Sequence, residues 1–181
     1  MDAPATFRHQ LLAALPRLRR YTHSLVFDSA LADDLAQTTV ERALRHWQQF
    51  EPDRDMLVWL LSIAHNAHRD AHRRDGRLAV TDPDTLQQAQ DRLGGDPGTD
   101  VGLRLDLLAA LRRLSTEQRE PLLLVCVEQL SYAEVAAVLH IPVGTVMSRV
   151  SRARAALRLF LDGGTRPATA TAAPPPLRRV V

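Results

Sequence analysis

Residues 131–154 read Ser-Tyr-Ala-Glu-Val-Ala-Ala-Val-Leu-His-Ile-Pro-Val-Gly-Thr-Val-Met-Ser-Arg-Val-Ser-Arg-Ala-Arg, and few folds accommodate that order. The pattern predicts a short helix, a tight turn and a second helix that ends in arginines. That is the layout of a helix-turn-helix, whose second helix enters the major groove of DNA. Ser131 and Glu134 are spaced as a capping box, each side chain satisfying a free backbone N–H at the first helix's start. Pro142 suits the first turn of the second helix, where its missing N–H is no loss. His140 falls where such turns often use a left-handed glycine; histidine is among the residues that tolerate that conformation.

At 100° per residue, Val146, Val150, Ala153, Leu157 and Leu161 share one side of the second helix and are expected to pack. Opposite them lie Thr145, Ser148, Ser151 and Arg152, flanked by Arg149 and Arg154. Small hydroxyls with one arginine suit close approach to base edges, and flanking arginines suit phosphates. The formal net charge is only +2, but residues 142–161 hold Arg149, Arg152, Arg154 and Arg158 with no acid. Residues 75–100 hold six Asp against Arg77 and Arg92. A basic helix beside an acidic connector implies separate electrostatic tasks.

Strand signals are nearly absent, so the predicted class is all-α, with helices near 5–21, 29–47, 54–74, 101–113, 116–128, 132–139 and 143–161. The Gly- and Pro-punctuated gap after residue 74 is too long for a loop within one compact domain. Two small helical domains on a flexible linker are therefore expected. The segment after Leu161, rich in Ala, Thr and Pro, reads as a disordered tail. Cys126 is the only cysteine, which excludes an internal disulfide and a thiolate zinc cage; in its apolar run it reads as a buried thiol. The chain has neither an 18-residue apolar stretch nor a signal-peptide pattern at its start, so no membrane segment and a cytoplasmic location are expected.

On the helix near 54–74, Met56, Trp59, Leu60, Ile63, Ala64, Ala67 and Ala71 form the expected core side. Ser62, Asn66, Arg69 and Arg73 form a polar stripe. His65, His68 and His72 cluster on a third face. No carboxylate on the helix joins them, so phosphate or dipole contacts are expected rather than a metal. On the helix near 29–47 the expected core is Ala36, Val40, Ala43, Leu44 and Trp47. Asp34, Gln37 and Glu41 make a polar ridge with Leu31 and Leu35 on its flank, a candidate docking surface for a protein.

These motifs together resemble the extracytoplasmic-function (ECF) group of bacterial RNA polymerase sigma factors. Leu-Ser-Thr-Glu-Gln-Arg-Glu (114–120), Leu-Ser-Tyr-Ala-Glu-Val-Ala (130–136) and the run 141–154 are similar to the group's region 4. Asp-Asp-Leu-Ala-Gln (33–37), Trp59-Leu60 and Ile-Ala-His-Asn (63–66) are similar to region 2. The resemblance implies region 2 over 5–75, an acidic linker over 76–99, region 4 over 100–161 and a tail over 162–181. It implies that Asp34, Leu35 and Gln37 bind the clamp helices of core RNA polymerase. Trp47, Phe50, Arg54, Ser62, Asn66, Arg69 and Arg73 would then recognise and melt the −10 element of promoter DNA. Region 4 would hold the polymerase flap tip and read the −35 element through Thr145, Ser148, Arg149, Ser151, Arg152 and Arg154. An anti-sigma factor is a further possible partner.

The chain departs from the family pattern at Ala36 and Thr38-Thr39 after the Asp-Leu pair, at Met147 where a basic residue is common, and at Pro121 inside a helix, where a kink is expected. The implied function is a sigma factor that brings core polymerase to specific promoters and assists their melting in transcription initiation. The alternative is a stand-alone helix-turn-helix regulator, which would self-associate and bind duplex without polymerase. An enzyme is not expected: there is no nucleophile–base pairing, phosphate loop or metal-ligand spacing, and no cofactor is implied.

Overall fold

The helices of the computed structural model, which describes residues 3–75 and 101–161, follow from the apolar spacing of the sequence. In chain order they are α1 (Ala5–Leu25), α2 (Ser29–Arg45), a short 3-10 turn (Trp47–Gln49), α3 (Met56–Asp75), α4 (Val101–Arg113), α5 (Thr116–Cys126), α6 (Tyr132–Leu139) and α7 (Val143–Leu161). No strand occurs among the described residues. The acidic linker and the tail lie outside them.

Local chemistry sets the helix starts. The Asp28 carboxylate accepts from Leu31 N at 2.9 Å, and Asp55 Oδ1 accepts from Leu57 N at 2.7 Å. Each satisfies a backbone donor left open at a helix start. Pro121 stays inside α5 and is buried, and Pro16 lies within α1; each helix continues past its proline. The turn after α5 closes through bonds from Glu128 N and Leu130 N to Leu123 O and Leu124 O, with Gln129 in the left-handed region at φ 58°.

α1, α2 and α3 pack around Leu18, Leu25, Ala32, Ala43, Leu60, Leu61 and Ala64, all inaccessible to solvent. Phe7, Phe50 and Trp59 form an aromatic cluster with centroids 5.2–5.9 Å apart. α4–α7 pack around Leu124, Val135, Val138, Val146, Val150 and Ala153. Two helical units are present, as expected. In addition they touch: α1 meets α5 and α3 meets α6, and the buried apolar residues join into one cluster.

The seam between the units is unusually polar. Glu128, with its side chain fully buried, receives Arg17 Nε at 3.1 Å and Arg20 Nη2 at 3.1 Å; Arg17 Nη2 also donates to its backbone carbonyl at 2.7 Å. Glu120 accepts from the Tyr21 hydroxyl at 3.0 Å and pairs with His65 Nδ1 at 2.8 Å. Burial, and then the Glu120 carboxylate, push the Tyr21 hydroxyl well above its ordinary range. Phe27 is contacted by the guanidinium groups of Arg112 and Arg119 at 4.9 and 4.6 Å from its ring centre.

Several expectations are corrected. Ala71 is exposed because α3 reaches past the bundle, and Leu44 and Leu161 are more than two-fifths exposed near their helix ends. Leu35 is turned into the core, leaving Leu31 as the exposed leucine beside the ridge. His65 and His68 are buried, because the second unit packs on that face of α3; they are not placed for phosphate contacts in this arrangement. Cys126 is exposed at the last residue of α5, with Arg154 Nη2 at 3.7 Å from its sulfur.

Candidate nucleic-acid interface

The capping box at α6 is complete. Ser131 Oγ accepts from Glu134 N at 3.2 Å, and Glu134 Oε2 accepts from Ser131 N at 2.7 Å. α6 ends at His140, whose φ of 53° and ψ of 44° are left-handed, as its position in the sequence requires. Pro142 stands one residue ahead of α7, and its carbonyl accepts from Thr145 N and Val146 N. The chain bends by 103° between α6 and α7. That lies within the range of DNA-binding helix-turn-helix units. Val146, Val150 and Ala153 anchor α7 against α5 and α6, which points the other side of the helix outward.

That outward side is where the polar residues were expected. Ser148, Ser151, Arg152 and Arg154 are exposed, while Thr145 and Arg149 are half-buried. Arg152 folds back one turn: its Nε donates to Ser148 O at 3.2 Å and its Nη2 lies 3.4 Å from Ser148 Oγ. Arg149 is tied to Glu117 of α5 at 3.1 Å. Arg149 is thus held at the rim, whereas Arg152 and both serines form the open centre of the surface. Met147 is also exposed on this helix, so an apolar side chain stands on the surface there. Gly144 has open space where a side chain would begin, so it permits close approach of a ligand to the α7 start.

On the first unit, Arg69 and Arg73 are exposed and Ser62 and Asn66 half-buried, so the stripe is continuous but recessed at its start. Ser62 Oγ donates to Val58 O at 3.0 Å. Arg54 is exposed, and Trp47 is half-buried. Phe50 is half-buried too, committed on one side to the cluster with Phe7 and Trp59. The structure therefore puts Trp47, Phe50 and Arg54 in the connection that leads into α3, and the stripe along α3 itself.

On α2, Asp34, Gln37 and Glu41 are exposed, with Gln37 Nε2 bonded to Glu41 Oε1 at 2.9 Å. Asp33 faces the other way, toward Arg19 at 3.0 Å and His23 at 3.1 Å. The hydrogen bonds from Arg19 and then His23 hold the Asp33 carboxyl below its ordinary range. Asp34 has no partner among the described residues, so it is available to a second molecule. No cluster of three or more metal-binding side chains occurs among the described residues. Likewise, no single helix among them is long and apolar enough to cross a membrane.

Reasoning from the sequence missed the seam residues Glu120, Glu128, Tyr21, Arg17, Arg20, Phe27, Arg112 and Arg119. The only available signal was two acids, Glu120 and Glu128, enclosing an apolar run. Nothing in a linear pattern pairs Glu128 with Arg17, 111 positions earlier.

A helix-turn-helix unit that follows a three-helix unit with an exposed acid–amide ridge defines a two-part DNA-binding transcription protein. The family models agree in both halves: "Sigma-70 region 2" matches residues 11–78 and "Sigma-70, region 4" matches residues 104–157. The chain is 38% identical to the ECF RNA polymerase sigma factor EcfG of Rhodopseudomonas palustris over 166 residues, 90% of each chain. It is 34% identical to the RNA polymerase sigma factor CarQ of Myxococcus xanthus, over 81% of this chain and 83% of that one. Among solved structures, the sigma factor RpoE of Bartonella quintana, in complex with the anti-sigma factor NepR, superposes with a TM-score of 0.73 at 30% identity, covering 88% of this chain and 98% of that one. The chain belongs to the ECF group of RNA polymerase sigma factors.

Proposed function

We propose that this chain is a specificity subunit without catalytic activity of its own, working in the cytoplasm, where it brings core RNA polymerase to a defined set of promoters. The ridge of Asp34 and Gln37, with Leu31 beside it, docks on the clamp helices. The second unit holds the flap tip and sets α7 in the major groove of the −35 element, with Ser148, Ser151 and Arg152 at base edges and Arg149 and Arg154 toward phosphates. Arg69 and Arg73, with Ser62, Asn66, Trp47, Phe50 and Arg54, take the −10 element and hold unstacked bases as it melts. Polymerase performs the chemistry. An anti-sigma factor is a second protein partner, a reading supported by the likeness to RpoE, which was solved with one.

The observation that carries this reading is the formed helix-turn-helix, with its serine–arginine face open, behind a unit whose unpaired Asp34 stands on an exposed ridge. Run-off transcription with purified core polymerase and a library of promoter fragments tests it. Specific starts that need both proteins are expected. Tight duplex binding by the chain alone, with no stimulation of core, would move the case to a stand-alone regulator.

A further inference from the structure

We propose that α7 carries two base readers outside the serine–arginine set. Val143 and Met147 meet thymine methyl groups, so the −35 element of this chain has an A·T pair, thymine toward these side chains, where the helix start enters the groove. The proposal deepens the sigma-factor reading and rests on it.

The recognition helix of a helix-turn-helix meets base edges with its N-terminal residues. In α7 these are Val143, Gly144, Thr145, Val146, Met147 and Ser148, none of them ionisable. Arg149, the first charged residue, is tied to Glu117 of α5, and Ser148 Oγ donates to Thr145 O at 3.0 Å within its own helix. The helix start therefore offers DNA little of the donor chemistry that selects guanine. What it offers is apolar surface: Val143 is 43% exposed and Met147 54%. Neither belongs to the packing side, which Val146, Val150 and Ala153 supply. At about 100° per residue, Met147 lies about 40° round the helix from Val143 and about 40° from Ser151 on its other side. The pair thus extends the reading face and not the buried one.

Gly144 indicates how near the DNA comes. It lies in α7, its backbone is not left-handed, and nothing stands within 4 Å of where a Cβ would be. Neither backbone conformation nor internal packing requires glycine here, and glycine weakens a helix relative to alanine. The space it leaves is on the outward face, about 40° from Ser148 and about 20° from Ser151. That space lets the helix start sit deep enough for its flank to touch base edges. The major groove is about 12 Å wide, close to the diameter of a helix with its side chains, so flank and centre both come within reach. Among the four bases only thymine presents a methyl group there. The unbranched thioether of methionine adapts to such a group and needs no hydrogen-bond partner.

The test uses holoenzyme assembled from core RNA polymerase and the full chain, on duplexes selected from a library randomised in the −35 element. Each −35 thymine, on either strand, is then replaced by deoxyuridine, which removes the methyl group and leaves pairing intact. At one or two positions the parent holoenzyme should bind the uridine duplex about fourfold less tightly, the effect of one buried methyl group. Val143→Ala or Met147→Ala should abolish the difference at its own position. Met147→Arg should transfer the preference there to guanine, by about fivefold or more. Gly144→Ala should unfold at no lower temperature and yet bind the selected promoters several-fold less tightly. A selected −35 element without an A·T pair, the lack of any uridine effect, or an effect that survives both alanine changes overturns the methyl readout. So does a Met147→Ala chain that loses core affinity but keeps the uridine effect, which would make the apolar flank a protein contact. An unchanged base preference in Met147→Arg removes position 147 from the base edges, and unaltered binding by Gly144→Ala overturns the close approach of the helix start. Holoenzyme that selects no sequence at all refutes the sigma reading, and this proposal with it, a result distinct from all of these.

Discussion

Acid should loosen this protein through His68. Its imidazole is buried on α3 where the second unit covers it, and burial lowers its pKa from 6.5 to about 4. Glu120 opposes that shift, while His72, Arg119 and His65 add to it. The folded state thus keeps His68 neutral, while the unfolded chain takes up a proton once the pH falls below about 6.5. Stability from this group is fully present above pH 6.5 and is lost as the pH falls toward 4. The whole interval is worth about 3 kcal/mol, and between pH 7.5 and pH 5 the loss is about 2 kcal/mol. Asp33 acts in a different window: its lowered pKa supplies stability that is present above about pH 4 and lost only below it. Urea unfolding of the parent and of His68→Gln at a series of pH values isolates the effect. The variant should be less pH-dependent by about 2 kcal/mol between pH 7.5 and 5. Equal slopes in the two proteins would show that His68 is not buried as a neutral ring, and with it that the seam does not cover this face of α3.

Arg152→Ala should reduce discrimination at a single −35 position by about 1–3 kcal/mol, measured by competition among promoter variants in the holoenzyme; an unchanged preference at every position would remove Arg152 from the reading set. Asp34→Ala should weaken core binding in a direct titration while leaving base preference intact; normal core affinity would count against the α2 ridge as the docking surface. Ser131→Ala removes an acceptor at the start of α6 and should cost about 1 kcal/mol in thermal or urea unfolding. A neutral result there would mean that Glu134 and water satisfy the helix start without the serine hydroxyl.

The parts of the molecule governed by local chemistry were legible in the sequence. Capping by Ser131 and Glu134, the left-handed His140 and the inward Val146, Val150 and Ala153 depend on neighbours within a few residues, and the structure has each of them. So do all seven helices, within a few residues at their ends. What failed depended on the second unit. An amphipathic reading gives α3 one buried side, but α3 is buried on two, so His65 and His68 were assigned to the surface. Cys126 failed for the opposite reason: its apolar neighbours, Leu122, Leu123 and Leu124, are buried, while the cysteine lies at the helix end and faces out. Leu35 and Leu31 are four residues apart on one flank, yet only Leu35 faces the packed helices, a difference of depth that periodicity does not resolve.

The left-handed Gln129 turn gives Glu128 a fixed place between α5 and α6, and this has a consequence for how the chain tolerates change. A seam residue such as Glu128 answers to both units at once, because its partners Arg17 and Arg20 lie in α1. Glu128→Leu would suit the apolar run that precedes it in α5 and still leave two arginines of the other unit without their carboxylate. Conversely, loss of both arginines leaves a buried carboxylate unmatched, and stability falls although neither position belongs to the proposed DNA-reading set. Which substitutions are neutral at these positions is therefore decided by the pair of units and not by the helix that carries the residue.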